Sequence, residues 1–346
     1  MFDKKCFAGD GKRDFLFAHP IDRPLRVLQM TDIQTVGLQW TRNATRDRQI
    51  RGAYFKNGVY GMEERAYAHI RALVKETAPD LILLTGDNIY GEFDDEGVML
   101  AELIEVFEEI GLPWATTFGN HDPESRIGID RICAAYEAAP HCLFRRGNVT
   151  GNANYSIGIT TPGGVIFTLF LLDTGGCRPV GNPGAPEEGL TPDNPDFDKL
   201  EHRNRIAQDQ MNWYKWAADG VRNAVFLHIA PHIFLTALSE RYGFRPGKEV
   251  YLDGEDCGQY VEQMREADFT DPDGTFFEIL KKNNCAAVFA GHQHKNNMIL
   301  RDYQGITLGY GQKTGFCTFW SPGATGGTLH EITANGELFS RHITRG

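Results

Sequence analysis

The feature that most constrains this chain is a pattern met five times: a short apolar run that stops at a carboxylate, an amide or an imidazole. Leu25-Arg26-Val27-Leu28-Gln29-Met30 runs into Thr31-Asp32-Ile33-Gln34, and Leu81-Ile82-Leu83-Leu84 into Thr85-Gly86-Asp87-Asn88. Leu112 to Thr117 ends in Phe118-Gly119-Asn120-His121-Asp122, Val225-Phe226-Leu227 in His228, and Ala286 to Ala290 in Gly291-His292-Gln293-His294. A continuous apolar run such as Leu81 to Leu84 reads as a strand buried on both faces. Between the first three runs, residues 62–76 and 96–110 read as helices, Pro79 stops the first, and 126–138 reads as a third. The order βαβαβα places parallel strands between helices. Ligands in open α/β sheets collect at the carboxyl ends of strands, which is where each polar residue of the pattern falls.

The rest of the chain is less regular. Residues 154–159 and 165–173 read as a hairpin turned at Thr161-Pro162-Gly163-Gly164. Residues 196–218 read as a helix with Ile206, Met211, Trp213 and Trp216 as candidate packing residues, and a helix near 276–281 precedes the last of the five runs. Strands are expected at 298–302, 306–310, 316–320 and 327–332, and residues 1–24 read as a lead-in edge segment. Residues 38–61, 175–195 and 239–258 read as irregular connections. The first carries Arg42, Arg46, Arg48 and Arg51 beside Trp40, Tyr54 and Phe55, and either grips a phosphate or is a solvated face. No internal repeat, low-complexity tract or linker divides the chain, so one domain is expected over 1–346.

Composition removes several classes of function. A formal net charge of -11 and a pI near 5.5 argue against non-specific binding to nucleic acid or to an anionic membrane, which needs a basic face. A small anionic substrate stays possible where metal ions supply positive charge. The amino terminus has no run long enough for a signal segment, and nowhere do about 18 apolar residues follow one another. The cysteines at 6, 133, 142, 177, 257, 285 and 317 are odd in number and form no CxxC pair. They read as free thiols in a reducing compartment, and a cytoplasmic protein is expected.

The polar residues at the five strand ends have a chemistry in common. Asp32 and Gln34, two apart, share a face of their strand end. Taken alone, Asp32 also fits a helix N-cap. Asn120 offers an amide oxygen, a hard neutral ligand, and His121 an imidazole that gives up a proton near neutral pH. Bringing both to one centre needs a turn, placed at Gly119 with positive φ. Asp32, Gln34, Asp87 and Asn120 with His228, His292 and His294 suit two divalent ions bridged by one carboxylate. A structural zinc would want closely spaced Cys and His, a spacing this chain lacks.

With these motifs in order, the chain resembles the calcineurin-like metallophosphoesterase superfamily. The family pattern is Asp-x-His, Gly-Asp-x-x, Gly-Asn-His-Asp/Glu, a lone His and Gly-His-x-His. This chain has Asp32-Ile33-Gln34, Gly86-Asp87-Asn88, Gly119-Asn120-His121-Asp122, His228 and Gly291-His292-Gln293-His294, over about residues 25–320. Gly309-Tyr310-Gly311-Gln312-Lys313-Thr314-Gly315 and the helix carrying Gln210 and Trp213 resemble the purple-acid-phosphatase-like branch. The resemblance implies an α/β/β/α four-layer sandwich of two mixed β-sheets with the metal site at strand C-terminal ends. It implies two divalent ions (Mn, Fe, Mg or Zn), the first held by Asp32, Asp87 and His294, the second by Asn120, His228 and His292, with Asp87 bridging. It also implies hydrolysis of a phosphate mono- or diester by attack of a metal-bridging hydroxide, with His121 as general acid. A satisfied structural histidine is the other reading of His121, and His232 is expected to be structural or to lie behind the ligands.

Gln34 is where the chain departs from the pattern, which usually has His there. Its amide oxygen either coordinates and hardens the first site, favouring Mn²⁺, Mg²⁺ or Fe²⁺ over Zn²⁺, or is no ligand, with water in its place. The remaining alternative is a weak or empty first site. Two rival functions stay open: a metal-binding or interaction scaffold on the same fold, and a nuclease of the same superfamily.

Overall fold

The computed structural model describes residues 4–37, 61–174, 206–245, 247–261 and 269–345. Its strands in chain order are β1 (Phe15–Ala18), β2 (Leu25–Met30), β3 (Leu81–Thr85), β4 (Trp114–Thr117), β5 (Tyr155–Thr161), β6 (Gly164–Leu172) and β7 (Asn223–Leu227). There follow β8 (Val250–Leu252), β9 (Gly258–Tyr260), β10 (Cys285–Ala290), β11 (Ile299–Tyr303), β12 (Ile306–Tyr310), β13 (Gly326–Ile332) and β14 (Leu338–Thr344). The helices are α1 (Met62–Thr77), α2 (Val98–Ile110), α3 (Ile129–Ala138), α4 (Gln208–Ala218), α5 (Ile233–Tyr242) and α6 (Thr275–Lys282). A five-stranded sheet runs β14-β13-β2-β3-β4 and a seven-stranded sheet β1-β5-β6-β7-β10-β12-β11, with β8 and β9 as a separate hairpin.

Alternation along the strands explains the stacking. On β6, Phe167, Leu169 and Leu171 join the core shared with the five-stranded sheet, while Phe170 and Leu172 join a second core on the opposite face. Ala224 and Phe226 against Val225 and Leu227 repeat this on β7, and Ala287 and Phe289 against Val288 and Ala290 on β10. Successive side chains of a strand point to opposite faces, so a run apolar at every position must be covered twice. The first core takes in apolar residues of α1, α2 and α3, and the second those of α4, α5 and α6. The result is four layers: helices, mixed sheet, mixed sheet, helices. Within them β2, β3 and β4 are parallel, as are β6, β7 and β10. The two sets end on facing sheets, and the loops beyond Met30, Thr85, Thr117, Leu227 and Ala290 meet.

Local signals account for most boundaries. The first helix stops at Ala78, whose left-handed backbone (φ 43°) lets its N–H reach the Val74 carbonyl, and Pro79 follows. The second stops at left-handed Gly111. The 161–164 hairpin turn joins β5 and β6 in antiparallel register. The edge segment is β1, parallel to β5.

Some expectations are corrected. Residues 316–319 form bends, and no strand forms over 316–320. The chain just before them is drawn against the loop after β2, where Thr314 N–H donates to the Thr31 carbonyl (2.8 Å) and Gly315 N–H to that of Asp32 (3.3 Å). Residues 206 and 207 are not helical, and α4 begins at Gln208. Ile206 and Met211 are buried and Trp213 packs on Phe170, but Trp216 is 52% exposed. The stretch 239–258 holds the end of α5 and the start of a hairpin. The arginine-bearing stretch with Trp40, Tyr54 and Phe55, residues 175–205 and Cys177 lie outside the described residues. None of the six described cysteines is in a disulfide. Among the described residues no helix is long and apolar enough to cross a membrane.

Candidate metal centre

Six of the residues singled out in the sequence meet where the strand ends converge. His294 Nε2 lies 3.2 Å from Asp32 Oδ1, His228 Nε2 lies 3.4 Å from Asp87 Oδ2 and 3.2 Å from Asn120 Oδ1, and the His228 and His292 ring centroids are 5.2 Å apart. Ligand atoms of Asp87, His228 and His292 fall within 4.8 Å of one another, and so do those of Asp32, Asp87 and His294. Asp87 belongs to both groups. One carboxylate thus faces two places where a cation could sit.

The backbone at these loops is unusual. Asp32 (φ 52°), Gln34 (48°), Asp87 (51°) and His292 (73°) all lie in the left-handed region. Non-glycine residues there typically cost on the order of 1 kcal/mol or more each and cluster at functional sites. Gly119 does not share that conformation, contrary to the expectation that it would turn with positive φ. Left-handed Gly86 (φ 88°) and Asp87 turn the chain in the neighbouring loop after β3. What position 119 requires is the absence of a side chain, because a Cβ there would lie 2.2 Å from Asp87 Oδ1. At Gly291 a Cβ would lie 2.1 Å from Thr31 Oγ1 and 2.9 Å from Asp32 Oδ2.

Hydrogen bonds behind the cluster aim its side chains. His228 Nδ1–H donates to the Thr85 carbonyl (2.8 Å) and His294 Nδ1–H to the Phe319 carbonyl (3.0 Å). A carbonyl only accepts, so in both rings Nδ1 carries the hydrogen and Nε2 is turned inward, the arrangement metal-ligating histidines need. Asp122 accepts N–H groups from Asp87 and Asn88 (both 2.9 Å), Ile89 (3.1 Å) and Gly119 (2.7 Å), tying the loop after β3 to the loop after β4. Burial and the charge of Asp87 push its carboxyl up to about 7, opposed by the Gly119 and Ile89 N–H groups and by His228.

Charge is concentrated here. Burial raises the carboxyls of Asp32 and Asp87, but the neighbouring imidazoles prevail: His228 and His294 hold Asp32 below the usual range, and His228 and His121 do so for Asp87. Burial lowers His228, yet Asp87 and Asp32 lift it to about 9. His292 is lowered to about 3 by burial and by His228. A pocket whose carboxylates stay ionised while burying an imidazole's positive charge is one that attracts cations. Asp32 Oδ1 is buried there and faces His294 Nε2 at 3.2 Å without a well-formed hydrogen bond. Buried polar atoms normally have one. A buried carboxylate oxygen without a well-formed hydrogen bond, a shared carboxylate and inward imidazoles fit divalent ions of the Mn, Fe or Zn type.

His121 sits at the rim of this group. Its Nδ1 pairs with Glu124 Oε2 at 2.8 Å, its ring stacks on Tyr90, and its Nε2 is 4.0 Å from Asp87 Oδ2. The His232 ring stands edge-on to Phe269 with Nδ1 3.4 Å from the Thr236 hydroxyl, while its backbone N–H donates to the Thr270 carbonyl. Gln34 is buried beside Asp87, with Nε2 donating to Asp87 Oδ2 (2.8 Å) and Oε1 accepting from Lys313 Nζ (2.9 Å) and from the Thr318 hydroxyl. Sequence reasoning missed Glu124, Tyr90, Lys313, Thr318 and the carbonyl of Phe319. Lys313 lies in the glycine-rich stretch noted for its resemblance, and Thr318 and Phe319 in an expected strand, but none carried a chemical signal of its own.

Comparison with known proteins agrees with this geometry. Residues 25–296 match the model of a family described as calcineurin-like phosphoesterase. The chain belongs to this family. Members of the family use divalent metals, in keeping with the two ligand groups around Asp87. A protein named "Probable inactive purple acid phosphatase 28" from Arabidopsis thaliana is 33% identical over 329 residues, covering 87% of this chain and 73% of its own length. "Probable inactive purple acid phosphatase 14" of the same plant is 23% identical over 71% of this chain and 61% of its own length. "Phosphatase DCR2" of Saccharomyces cerevisiae is 24% identical over 83% of this chain, which spans 49% of that protein. The crystal structure of a dimetal phosphatase from Danio rerio superposes with a TM-score of 0.58 at 12% identity, covering 93% of this chain and 99% of its own, and shares the fold.

Proposed function

We propose that this chain is a metal-dependent phosphoesterase that hydrolyses a small phosphate mono- or diester at the centre around Asp87. The observation that carries this is Asp87 itself, one carboxylate common to both groups of ligand atoms. Asp32, Asp87 and His294 would hold the first ion, and Asp87, Asn120, His228 and His292 the second. Two divalent ions bound there supply Lewis-acid polarisation of the phosphoryl group and water of lowered pKa.

The chain's own side chains do the remaining work. Thr85 and Phe319 carbonyls fix the two imidazoles so that neither has to reorient on binding. His121 presents Nε2 toward the same centre and donates a proton to the departing alkoxide. Glu124, on the far nitrogen, pairs with the charged ring that this role requires, and Tyr90 covers one face of the ring. The acidic balance disfavours the nuclease reading. A scaffold without turnover is the second reading, favoured by the names of the two Arabidopsis relatives and by Gln34 at a position where the family usually has His.

The test is metal analysis of purified protein together with rates on one nitrophenyl phosphate monoester and one diester. Hydrolysis that disappears with chelation and returns with Mn²⁺ supports the enzyme. Stoichiometric metal without turnover on either ester supports the scaffold.

A further inference from the structure

We infer that Gln34 is a positioning residue, held by Lys313 and Thr318 to orient the shared carboxylate Asp87, and does not coordinate the first ion. The inference rests on the two-ion reading above and concerns how this chain holds its first site.

An amide looks nearly the same in both orientations, so its partners must decide which end is oxygen. Here they do. Lys313 Nζ, an ammonium with three donors and no acceptor, lies 2.9 Å from one end of the Gln34 amide and also donates to the Asp32 carbonyl at 2.7 Å. The end facing Lys313 is therefore the oxygen. The Thr318 hydroxyl donates to that same oxygen. An amide oxygen has two lone pairs, and both are in use.

The nitrogen is consequently the end that faces the centre, 2.8 Å from Asp87 Oδ2. A carboxamide nitrogen donates and does not ligate. To bring Oε1 onto an ion, Gln34 would have to leave Lys313, which is only 1% exposed, with one acceptor fewer, and taking an acceptor from a buried charge is costly. The left-handed backbone at Gln34 (φ 48°) is the conformation that delivers its side chain into this slot. Lys313 is delivered by its own local geometry: it makes a parallel bridge to Thr31, and Gly315 just beyond lies so close that a Cβ would come within 1.8 Å of the Ile33 carbonyl oxygen.

One consequence separates this from a ligand role. A ligand of the first ion affects that ion alone, whereas Asp87 serves both. Removing the group that orients Asp87 should therefore weaken both ions. Partners behind a ligand typically account for about 10–100-fold in metal affinity.

The experiment is calorimetric titration of Mn²⁺ into chelator-stripped wild type and Gln34→Ala, with a melting curve for each, and a crystal structure of Mn²⁺-loaded wild type using the metal's anomalous signal. The expected result is a loss of about 10–100-fold in affinity at both sites of the variant. In the crystal, Gln34 Oε1 should remain on Lys313, outside the roughly 2.0–2.6 Å range of ligand oxygens on hard divalent ions. Selective weakening of one site, or Oε1 within that range of an ion, overturns the inference and leaves the phosphoesterase reading intact. If wild type binds no Mn²⁺, the two-ion reading and the inference fall together. Should Gln34→Ala fail to fold, the wild-type crystal decides alone.

Discussion

Tyr90 lies against His121 with ring centroids 4.0 Å apart and planes inclined by 26°. On the edge of the same imidazole, Glu124 takes the Nδ1 hydrogen. Stacking and a hydrogen bond together leave the ring one orientation, with Nε2 toward the Asp87 cluster. If that nitrogen protonates the leaving group, His121→Ala should cost about 10²–10⁴-fold on an alkyl phosphate. On a nitrophenyl ester, whose leaving group needs no proton, the loss should be much smaller. Steady-state rates on the two esters check this, and equal losses would make His121 a phosphate-binding group.

The second prediction concerns Gly119. A Cβ there would stand 2.2 Å from Asp87 Oδ1 and 2.3 Å from the Asp87 amide nitrogen, and neither can retreat while Asp122 holds both loops. Gly119→Ala should destabilise the fold by about 1–3 kcal/mol, the usual cost of overpacking, and should weaken metal binding. Chemical denaturation and metal titration of the variant measure the two effects. Wild-type stability with wild-type metal affinity would contradict the geometry described here.

Stability should fall on mild acidification for a reason outside the metal centre. His330 is fully buried between Gln29 and Ser340, and burial lowers its pKa from 6.5 to about 3. The unfolded chain takes up a proton near 6.5 and the folded chain does not. The contribution is therefore fully present above pH 6.5 and is lost as pH falls toward 3, reaching about 3 kcal/mol at pH 4. Denaturation curves of metal-free wild type and His330→Gln between pH 7 and 4 test it. The variant's loss over that range should be smaller by about this amount.

Much of this was legible in the sequence because strands declare themselves by apolar runs. Leu81 to Leu84 and Val225 to Leu227 had to be buried twice, and that requirement alone implies layers on both sides. Asp32, Asp87, Asn120, His228, His292 and His294 were legible because each directly follows such a run. Strand β14 was not, since its residues are mostly half-buried or exposed and it pairs only with β13 at the sheet edge. Residues 316–320 looked like a strand because Phe316 and Trp320 are apolar, yet those two rings pack on each other and Arg65 covers both. Lys313 and Thr318 could not be found from spacing, because they reach Gln34 across nearly the whole chain. Gly119 was legible as essential but for another reason: a sequence signals that a glycine is needed more readily than whether backbone angle or lack of a side chain is the need.

If Asp87 joins two ions, Mn²⁺ reports that connection spectroscopically. Electron paramagnetic resonance of chelator-stripped protein titrated with Mn²⁺ should show two ions bound per chain and, at saturation, a signal from exchange-coupled ions. Asp87→Asn, which keeps the size of the side chain but removes the charge the ions share, should bind at most one ion weakly, give only the spectrum of isolated Mn²⁺, and lose hydrolysis by orders of magnitude while keeping its fold. Two uncoupled ions in wild type, or an Asp87→Asn variant with a coupled pair and near-full activity, would contradict the shared-carboxylate centre.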